Sequence, residues 1–326
     1  MYLLSIMRYI AMLTLPDFKE KKIVYIANYG EFPNELKFHN SNIRLYKEGK
    51  FVNQISCYLV LAIFIIGETT LTSVLIRRAQ EFGFSLFLLN NSLVKYASIL
   101  SKAEGNYKLR KIQYTTSQER ELYIAKQIVL NKIDDQEKLL KQNKVDFSVN
   151  NIELKIKNAI SINSLLGIEG GFASLYFRRI FKDIGWYRRA PRTKEDIPNL
   201  LLDIGYTFLF NYVDSLLNLF GFDTYKGFYH QLFFQRKSLS CDVIESMRPL
   251  IDRQLVKSYN LKQINDKDFT YENGVFAFKK GMDKKYAAIF FKVITDYKED
   301  IYLYVMGFYR YLLNPVKYRF PVFKIR

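Results

Sequence analysis

From Lys21 to Leu100 the apolar positions fall in short or alternating runs that predict strands. Ile23, Val24 and Ile26 crowd the stretch from Lys22 to Ala27. Leu36 and Phe38, then Ile43 and Leu45, alternate with polar neighbours, and Glu48-Gly49-Lys50 reads as the turn before Phe51 and Val52. This is a hairpin pattern. Leu59 to Ile66 is apolar throughout, as in a central buried strand. A short helix follows, with Leu71, Val74, Leu75, Ala79 and Phe82 on one face and Gly83 as its stop. Phe84 to Leu89 is a further strand.

After Gly105-Asn106 the apolar period lengthens to that of a helix. Thr116-x-x-Glu119 fits a capping box, and Leu122, Ala125, Ile128, Val129 and Ile133 form the stripe of a long helix. Helical periodicity continues to about Leu313, broken by one insert around Asp266 to Lys280. The expected fold is therefore α+β and multidomain: a β-rich, sandwich-like domain over residues 12–104, then a larger all-α domain over residues 105–326. Residues 1–11 carry Arg8 inside an apolar run without a signal-peptide pattern, so they are expected to be an upstream extension, with Met12 as the native start.

Two runs raise the question of a membrane. Cys57 to Ile66 is too short to span one, and Asn199 to Phe222 is interrupted by Asp203 and Asp214, which are costly in lipid. Both read as core elements. With 326 residues and 49% hydrophobic positions the chain is long and apolar enough to fold into two domains, which excludes a disordered protein. The charge changes the picture more: 49 Lys+Arg against 32 Asp+Glu leave +17. Such a balance calls for an acidic partner, nucleic acid before an anionic membrane surface. Cys57 and Cys241 cannot build a disulfide framework or a Cys-rich zinc site, so a reducing cytoplasm is the expected compartment.

Three segments could carry chemistry. Glu169, among Gly167, Gly170 and Gly171, falls in line with Ala173, Tyr176, Phe177 and Ile180 if the segment is helical. A carboxylate on a core-facing stripe is unusual; the plainer reading is a first-turn acid after a loop. His230 ends Gly227-Phe228-Tyr229-His230 and is one of only two histidines. Asp242 and Glu245 share a helix face at i,i+3 spacing, which N-terminal helix acids also do. Each segment alone has a bland explanation. Together, one imidazole and two or three carboxylates suit Mg²⁺ or Mn²⁺ better than zinc, and such an ion can activate a hydroxyl against a phosphodiester. Basic residues from Arg178 to Lys194 follow Glu169, and Ile301 to Arg326 mixes Arg, Lys, Tyr and Phe without one acid, a pattern suited to phosphates and unpaired bases. Walker-type, GxSxG and His-Glu-x-x-His motifs are absent.

These residues resemble the CRISPR-associated spacer-acquisition integrases. The resemblance runs from Met12 through most of the chain. It rests on Phe64-Ile65-Ile66-Gly67 before Thr70-Leu71-Thr72-Ser73, on Ala125-Lys126-Gln127-Ile128-Val129 with Lys132-Ile133, and on Ile168-Glu169-Gly170 with Ala173, Tyr176 and Phe177. Arg188-Arg189, Pro191, Asp196, Asn199 and Gly205-Tyr206 continue it. Its most specific block is Gly221-Phe222-Asp223, Gly227-Phe228-Tyr229-His230, Ser238-Leu239, Asp242, Glu245, Arg248-Pro249 and Asp252-Arg253. The resemblance implies dimerisation through the β domain and a helical catalytic domain. It implies Glu169, His230 and Glu245 as ligands of Mg²⁺ or Mn²⁺, with Asp242 as an assisting catalytic acid. It further implies transesterification of prespacer 3′-hydroxyls into CRISPR repeat borders. DNA, as prespacer duplex and leader-repeat, is the implied substrate. A homodimer, a tetramer on DNA and a small dimeric partner subunit are the implied assembly, without a membrane. Arg178, Arg188, Arg189, Arg192, Asn199, Tyr206 and Arg248 are the candidate DNA contacts. A structure-specific endonuclease or a transposon-borne relative would use the same residues. A non-catalytic DNA-binding subunit is disfavoured by the intact Glu169, His230, Asp242 and Glu245.

Overall fold

The computed structural model of the chain describes residues 20–28, 32–90, 95–100, 106–145 and 151–326. The expected extension over residues 1–11, the start at Met12 and the glycine at 105 lie outside the described residues. By internal packing the chain forms two compact units: one of the N-terminal strands, and one of Tyr107–Leu217 with Phe222–Arg326.

The first unit contains β1 (Lys22–Ala27), β2 (Asn34–His39), β3 (Asn42–Lys47), β4 (Lys50–Ser56), β5 (Val60–Ile66), β6 (Thr69–Leu71), helix α1 (Ser73–Phe82), β7 (Ser85–Leu89) and β8 (Lys95–Ile99). Two hairpins form because their turn residues accept the left-handed region: Asn40 and Ser41 at φ 45° and 58°, Glu48 and Gly49 at 49° and 73°. One sheet runs β4-β3-β2-β6 and the other β1-β5-β7-β8, with β5 parallel to both β1 and β7. Leu36 and Ile43 from the first sheet meet Ile26, Ile63, Ile65 and Leu86 from the second, and Leu75 and Ala79 of α1 close the same core. The unit is thus sandwich-like, as expected. The helix stripe is narrower than its apolar pattern, however: Leu71 belongs to β6, and Val74 faces solvent.

The second unit is helical: α2 (Tyr107–Thr115), α3 (Gln118–Gln142), α4 (Ile152–Lys157), α5 (Ile162–Ile180), α6 (Ile197–Leu219), α7 (Ser238–Glu245), α8 (Arg248–Asn260), α9 (Asp283–Asp296) and α10 (Lys298–Leu313). The expected insert is a hairpin of β9 (Phe269–Glu272) and β10 (Val275–Phe278), turning at Asn273 and Gly274, both at positive φ. The long helix α3 packs against α4, α5, α7 and α8. Its cap is Ser117, whose Oγ accepts from the Arg120 N–H at 3.3 Å. This corrects the capping box one residue earlier. Thr116 donates its hydroxyl to the Ile112 carbonyl at the end of α2, so it is committed to the preceding helix.

Helix α6 passes the length and hydropathy test for a membrane span, yet most of it is buried inside the unit. Its two acids explain why. Asp214 accepts from Lys237 Nζ at 2.6 Å and from Ser240 Oγ at 2.8 Å, which ties the start of α7 to α6. Asp203 accepts from Arg189 at 2.7 Å and from the Arg192 N–H at 2.8 Å. Beyond α10 the basic, aromatic tail packs on the unit. Asn131 of α3 pairs with both backbone polar groups of Phe323. Phe320 lies among the rings of Tyr304, Phe308 and Tyr311. Those aromatics serve packing, which corrects their reading as a base-stacking face.

Candidate metal centre

Glu169 lies in the middle of α5, not in a loop before it. Ser161 caps the helix by accepting from the Ser164 N–H at 3.1 Å. Phe172, Tyr176 and Ile180 bury the same side, so the helical phase carries Glu169 inward. Gly167, Gly170 and Gly171 have open space where a Cβ would stand. Among the described residues no neighbour requires them to be glycine.

The Glu169 carboxylate meets a cation that the sequence reading gave no role. Lys132 of α3 places its ammonium 2.5 Å from Glu169 Oε1 and 2.7 Å from Glu245 Oε2. Three helices thus bring one ammonium between two carboxylates, all largely buried. Arg248 Nε lies 3.0 Å from the other oxygen of Glu245. Burial works against the Lys132 ammonium, but the Glu245 and Glu169 charges outweigh it and raise its pKa. Burial likewise pushes the Glu245 carboxyl up, but Arg248 and Lys132, with His230 behind them, pull it down to about 2.

Asp242, fully buried, has a different task from the two glutamates. Its carboxylate accepts the backbone N–H groups of Phe228, Tyr229 and His230 at 2.6, 2.9 and 2.8 Å. It also lies 2.7 Å from His230 Nδ1. An acceptor-only carboxylate there puts the proton on Nδ1 and leaves Nε2 with its lone pair, as in carboxylate–histidine–metal arrangements. The three N–H groups can converge because residue 227 has no side chain. A Cβ there would stand 2.8 Å from Asp242 Oδ2, 2.8 Å from the His230 carbonyl and 2.9 Å from the Ser238 carbonyl carbon. Two of these are backbone and the third is locked by four contacts. Gly227→Ala is accordingly expected to lower unfolding stability by about 1–3 kcal/mol, read as a shift in denaturant midpoint at constant m value. A midpoint equal to wild type would show that this turn is not tightly built.

Beside this cluster Asp252 of α8 accepts from Tyr176 Oη at 3.0 Å and from the Tyr206 hydroxyl. Arg189 and Arg248 both lie against the Tyr206 ring, at 5.5 and 4.9 Å from its centroid. Burial pushes the Asp252 carboxyl up to about 6, the two hydroxyls only partly offsetting it. With its folded pKa above its unfolded one, the native state binds the proton more tightly. This group therefore favours folding below pH 4, and the advantage fades as pH rises through 6. Between those limits the change is about 3 kcal/mol at most. The stability difference between wild type and Asp252→Asn should therefore shift in favour of wild type from pH 7 to pH 5. A difference independent of pH would refute the raised pKa.

The candidate DNA contacts divide into two groups. Asn199 is fully buried and bonded throughout: it accepts from Arg189 and the Ala190 N–H, and donates to the Arg188 carbonyl and to Asp196. Asn199 and Tyr206 are placed to hold Arg189 and Arg248 rather than to meet a ligand. Arg178, Arg188 and Arg192 face solvent, with Arg188 paired to Glu195. Gly170, Phe177, Arg178, Tyr187 and Arg188 line a groove of about 640 Å³ that begins one residue beyond Glu169.

Among the described residues no three acidic, His or Cys donors converge on one point as they stand. Two observations nevertheless fit the residues to a divalent cation. Lys132 already stands as a positive charge between Glu169 and Glu245. The Tyr229 hydroxyl, next to His230, is buried without a partner among the described residues, in the field of Glu169 and Glu245. An orphan buried donor beside the His230 ring suits a site that takes up a hydrated ion or a phosphate oxygen. Two carboxylates and an imidazole form a donor set for Mg²⁺ or Mn²⁺.

Comparison with known proteins identifies the family and the fold. The family profile of CRISPR associated protein Cas1 matches residues 24–292. CRISPR-associated endonuclease Cas1 1 of Thermodesulfovibrio yellowstonii is 28% identical over 277 residues, covering 77% of this chain and 86% of the relative. CRISPR-associated protein Cas1 3 of Methanobrevibacter ruminantium is 30% identical over 267 residues, covering 73% and 78%. Among solved structures, a Cas1 protein from Thermotoga maritima superposes with a TM-score of 0.80 at 21% identity, over 94% of this chain and all of that one. A casposase bound to integration product superposes with a TM-score of 0.79 at 18% identity, over 94% and 96%. These structures share the fold.

Proposed function

Because the chain belongs to the CRISPR associated protein Cas1 family, we propose that it is a metal-dependent DNA integrase that joins prespacer 3′-hydroxyl ends to the borders of CRISPR repeats. The observation that carries this reading is the convergence of Glu169 and Glu245, from separate helices, on one buried cation, with Glu245 three residues after the Asp242 that holds His230. The relatives named endonucleases support the chemistry. The casposase bound to integration product and a solved Cas6-RT-Cas1–Cas2 complex, matched at a TM-score of 0.76 and 24% identity over 93% of this chain and 36% of that one, support DNA and a small Cas2-type subunit as partners.

In this reading Glu169, Glu245 and Nε2 of His230 would hold Mg²⁺ or Mn²⁺. Bound there, the ion would polarise the target phosphodiester and favour the ionised form of the attacking hydroxyl. Asp242 fixes the imidazole and its tautomer. Arg248, packed on Tyr206 and paired to Glu245, adds fixed positive charge where negative charge develops on the phosphate. Arg178 and Arg188 supply cations along the groove, and Arg192 an exposed one outside it, for the DNA backbone. The β-rich unit would serve dimerisation, a DNA-bound assembly would contain two such dimers, and the cytoplasm would be the site of action.

An integration assay tests this. Short duplex prespacers, a supercoiled plasmid carrying a CRISPR array and Mn²⁺ or Mg²⁺ are incubated with wild type or His230→Ala. Metal-dependent joining at repeat borders by wild type alone is expected. If wild type, with a Cas2-type subunit added, nicks branched DNA and never joins ends, the integrase reading fails and a structure-specific nuclease replaces it.

A further inference from the structure

Helix α2 buries two positions four apart, Leu109 and Gln113, and the second of them is an amide. Gln113 is fully buried and commits its whole side chain to one loop. Its Nε2 donates to the Asp223 carbonyl at 3.0 Å and to the Lys226 carbonyl at 3.3 Å, and its Oε1 accepts the Asp223 N–H at 3.0 Å. An amide with both N–H groups and its oxygen engaged has one orientation. Next to it the Tyr114 hydroxyl donates to Asp223 Oδ2 at 2.8 Å, while Asp223 Oδ1 accepts the Tyr225 N–H at 2.9 Å. Lys226 pairs with Glu121 of α3 at 2.5 Å. From the other side, the Thr224 carbonyl accepts the Leu239 N–H of α7 at 3.0 Å. Residues 223–226 are thus gripped from α2 and α3 on one side and from α7 on the other.

This loop leads straight into Gly227-Phe228-Tyr229-His230, whose last three N–H groups and imidazole are held by Asp242 of α7. That grip fixes His230 relative to α7, and so relative to Glu245 on the same helix. It leaves open where His230 stands relative to Glu169 of α5 and Lys132 of α3. A second anchor answers that, and it comes from the α2–α3 end. Only Thr116 and Ser117 separate the two helices, and α3 carries the Lys132 that joins Glu169 to Glu245. We propose that Gln113, with Tyr114 beside it, is a positioning residue for His230. It ties the peptide that bears the imidazole to the helices that carry the carboxylate pair's shared cation. This rests on the reading of Glu169, His230 and Glu245 as one metal site, and adds what keeps the imidazole in register with the two carboxylates. His230 lies four residues beyond Lys226, so its backbone is at most about 14 Å from the anchor. A residue that orients a metal ligand contributes about 10–100-fold to affinity. Gln113 stands one step behind Asp242 in that role, so the lower end is expected of it.

The test compares the full chain with Gln113→Met, Tyr114→Phe and Leu109→Ala. Met fills the volume of Gln but takes away the partners that Gln113 gives the Asp223 N–H and the two carbonyls. Leu109→Ala opens a cavity under the same helix without removing a hydrogen bond to the loop, so it controls for lost stability. Tyr114 faces solvent, so Tyr114→Phe should melt as wild type does. Amide hydrogen exchange of the metal-free protein reads the peptide from Phe228 to His230, and Mn²⁺ titration followed by electron paramagnetic resonance reads the site. In Gln113→Met, exchange at those three amides should quicken, and Mn²⁺ affinity fall, each by about tenfold. In joining assays kcat should fall while KM for DNA stays unchanged. Tyr114→Phe should move the same quantities in the same direction by about two- to fivefold, the worth of one exposed hydrogen bond. That arm decides the matter even where Gln113→Met does not fold. Leu109→Ala should melt lower, yet keep wild-type exchange at Phe228 to His230 and wild-type Mn²⁺ affinity. Equal effects of Gln113→Met and Leu109→Ala on exchange and affinity, or none from Gln113→Met and Tyr114→Phe, would make Gln113 a structural amide. Either result would overturn the proposal and leave the metal-site reading in place. A wild type that binds no Mn²⁺ would overturn both.

Discussion

Glu169→Gln is expected to reduce metal-dependent joining of DNA ends at least about a thousandfold while leaving duplex binding within a few fold of wild type. Gln keeps the volume of Glu on a helix face that is buried one residue in every turn, so α5 should still pack. What it loses is the charge. Losing a side chain that only orients a metal ligand costs about 10–100-fold in affinity or activity. Losing a ligand itself should exceed that. DNA binding depends on cations meeting phosphates, and removing one anion takes none of them away. The two quantities must therefore separate, and a gel-based joining assay beside a binding titration in the same buffer measures both. Mn²⁺ binding followed by electron paramagnetic resonance supplies a readout independent of catalysis. Joining at wild-type rate would remove Glu169 from the metal site. Equal losses of joining and binding would instead mean that the helix had been disturbed.

Much of this was legible in the sequence, because each element carried its own signal. The first hairpin region announced itself through Glu48-Gly49, where the backbone must turn with positive φ, whereas the break from Asp266 to Lys280 was legible only as non-helical. Glu169 announced itself by standing on the apolar phase of α5. The Asp203 and Asp214 interruptions separated a core helix from a membrane span. The same logic, carried further, exposes Lys132: it follows Ala125, Ile128 and Val129 on the buried stripe of α3, where an unpaired lysine has no stable place. Its partners come from α5 and α7, and no local pattern names them. Asp252 was hidden in the same way. Its partners Tyr176 and Tyr206 are supplied by two other helices, so their meeting is a property of packing alone.

Three errors share one physical cause. Thr116 looked like a cap, but the end of α2 had already taken its hydroxyl. Asn199 looked like a ligand-facing amide, but the loop bearing Arg188 to Ala190 folds back on it and uses every polar atom. Phe320 and Phe323 looked like base-stacking rings, but the last helix left an aromatic face that they fill. In each case the residue type was right for the chemistry considered, and a nearer partner within the chain had a prior claim. Sequence spacing shows what a side chain can do. Competition among partners at short range decides what it does.

Lys132→Met offers the complementary test, because it removes the cation and leaves both carboxylates. Lys132 is the only partner of Glu169 among the hydrogen bonds and ion pairs described, while Glu245 retains Arg248. Breaking a buried ion pair from one side costs about 3–5 kcal/mol, because the remaining charge has lost its solvent and gained nothing in exchange. Glu169 is partly open to water, so the lower end applies. For a unit of this size about 3 kcal/mol corresponds to a fall of roughly 6–12 °C in melting temperature. A divalent cation should reverse much of that loss. In wild type the ion must displace an ammonium that both carboxylates already hold, whereas in the variant it meets two uncompensated charges. The rise in melting temperature produced by Mn²⁺ should thus be larger in Lys132→Met than in wild type, although a divalent ion gains attraction to the carboxylates in both. Calcium, which also takes carboxylate oxygens, should act in the same direction. A variant that melts at the wild-type temperature and responds no more strongly to Mn²⁺ would mean that Glu169 and Glu245 do not form one ion site. A variant that melts lower but is indifferent to the metal would leave Lys132 as a structural ion-pair partner and move the metal elsewhere. Only the combination of lower stability and a larger metal response fits carboxylates held in readiness by a resident cation.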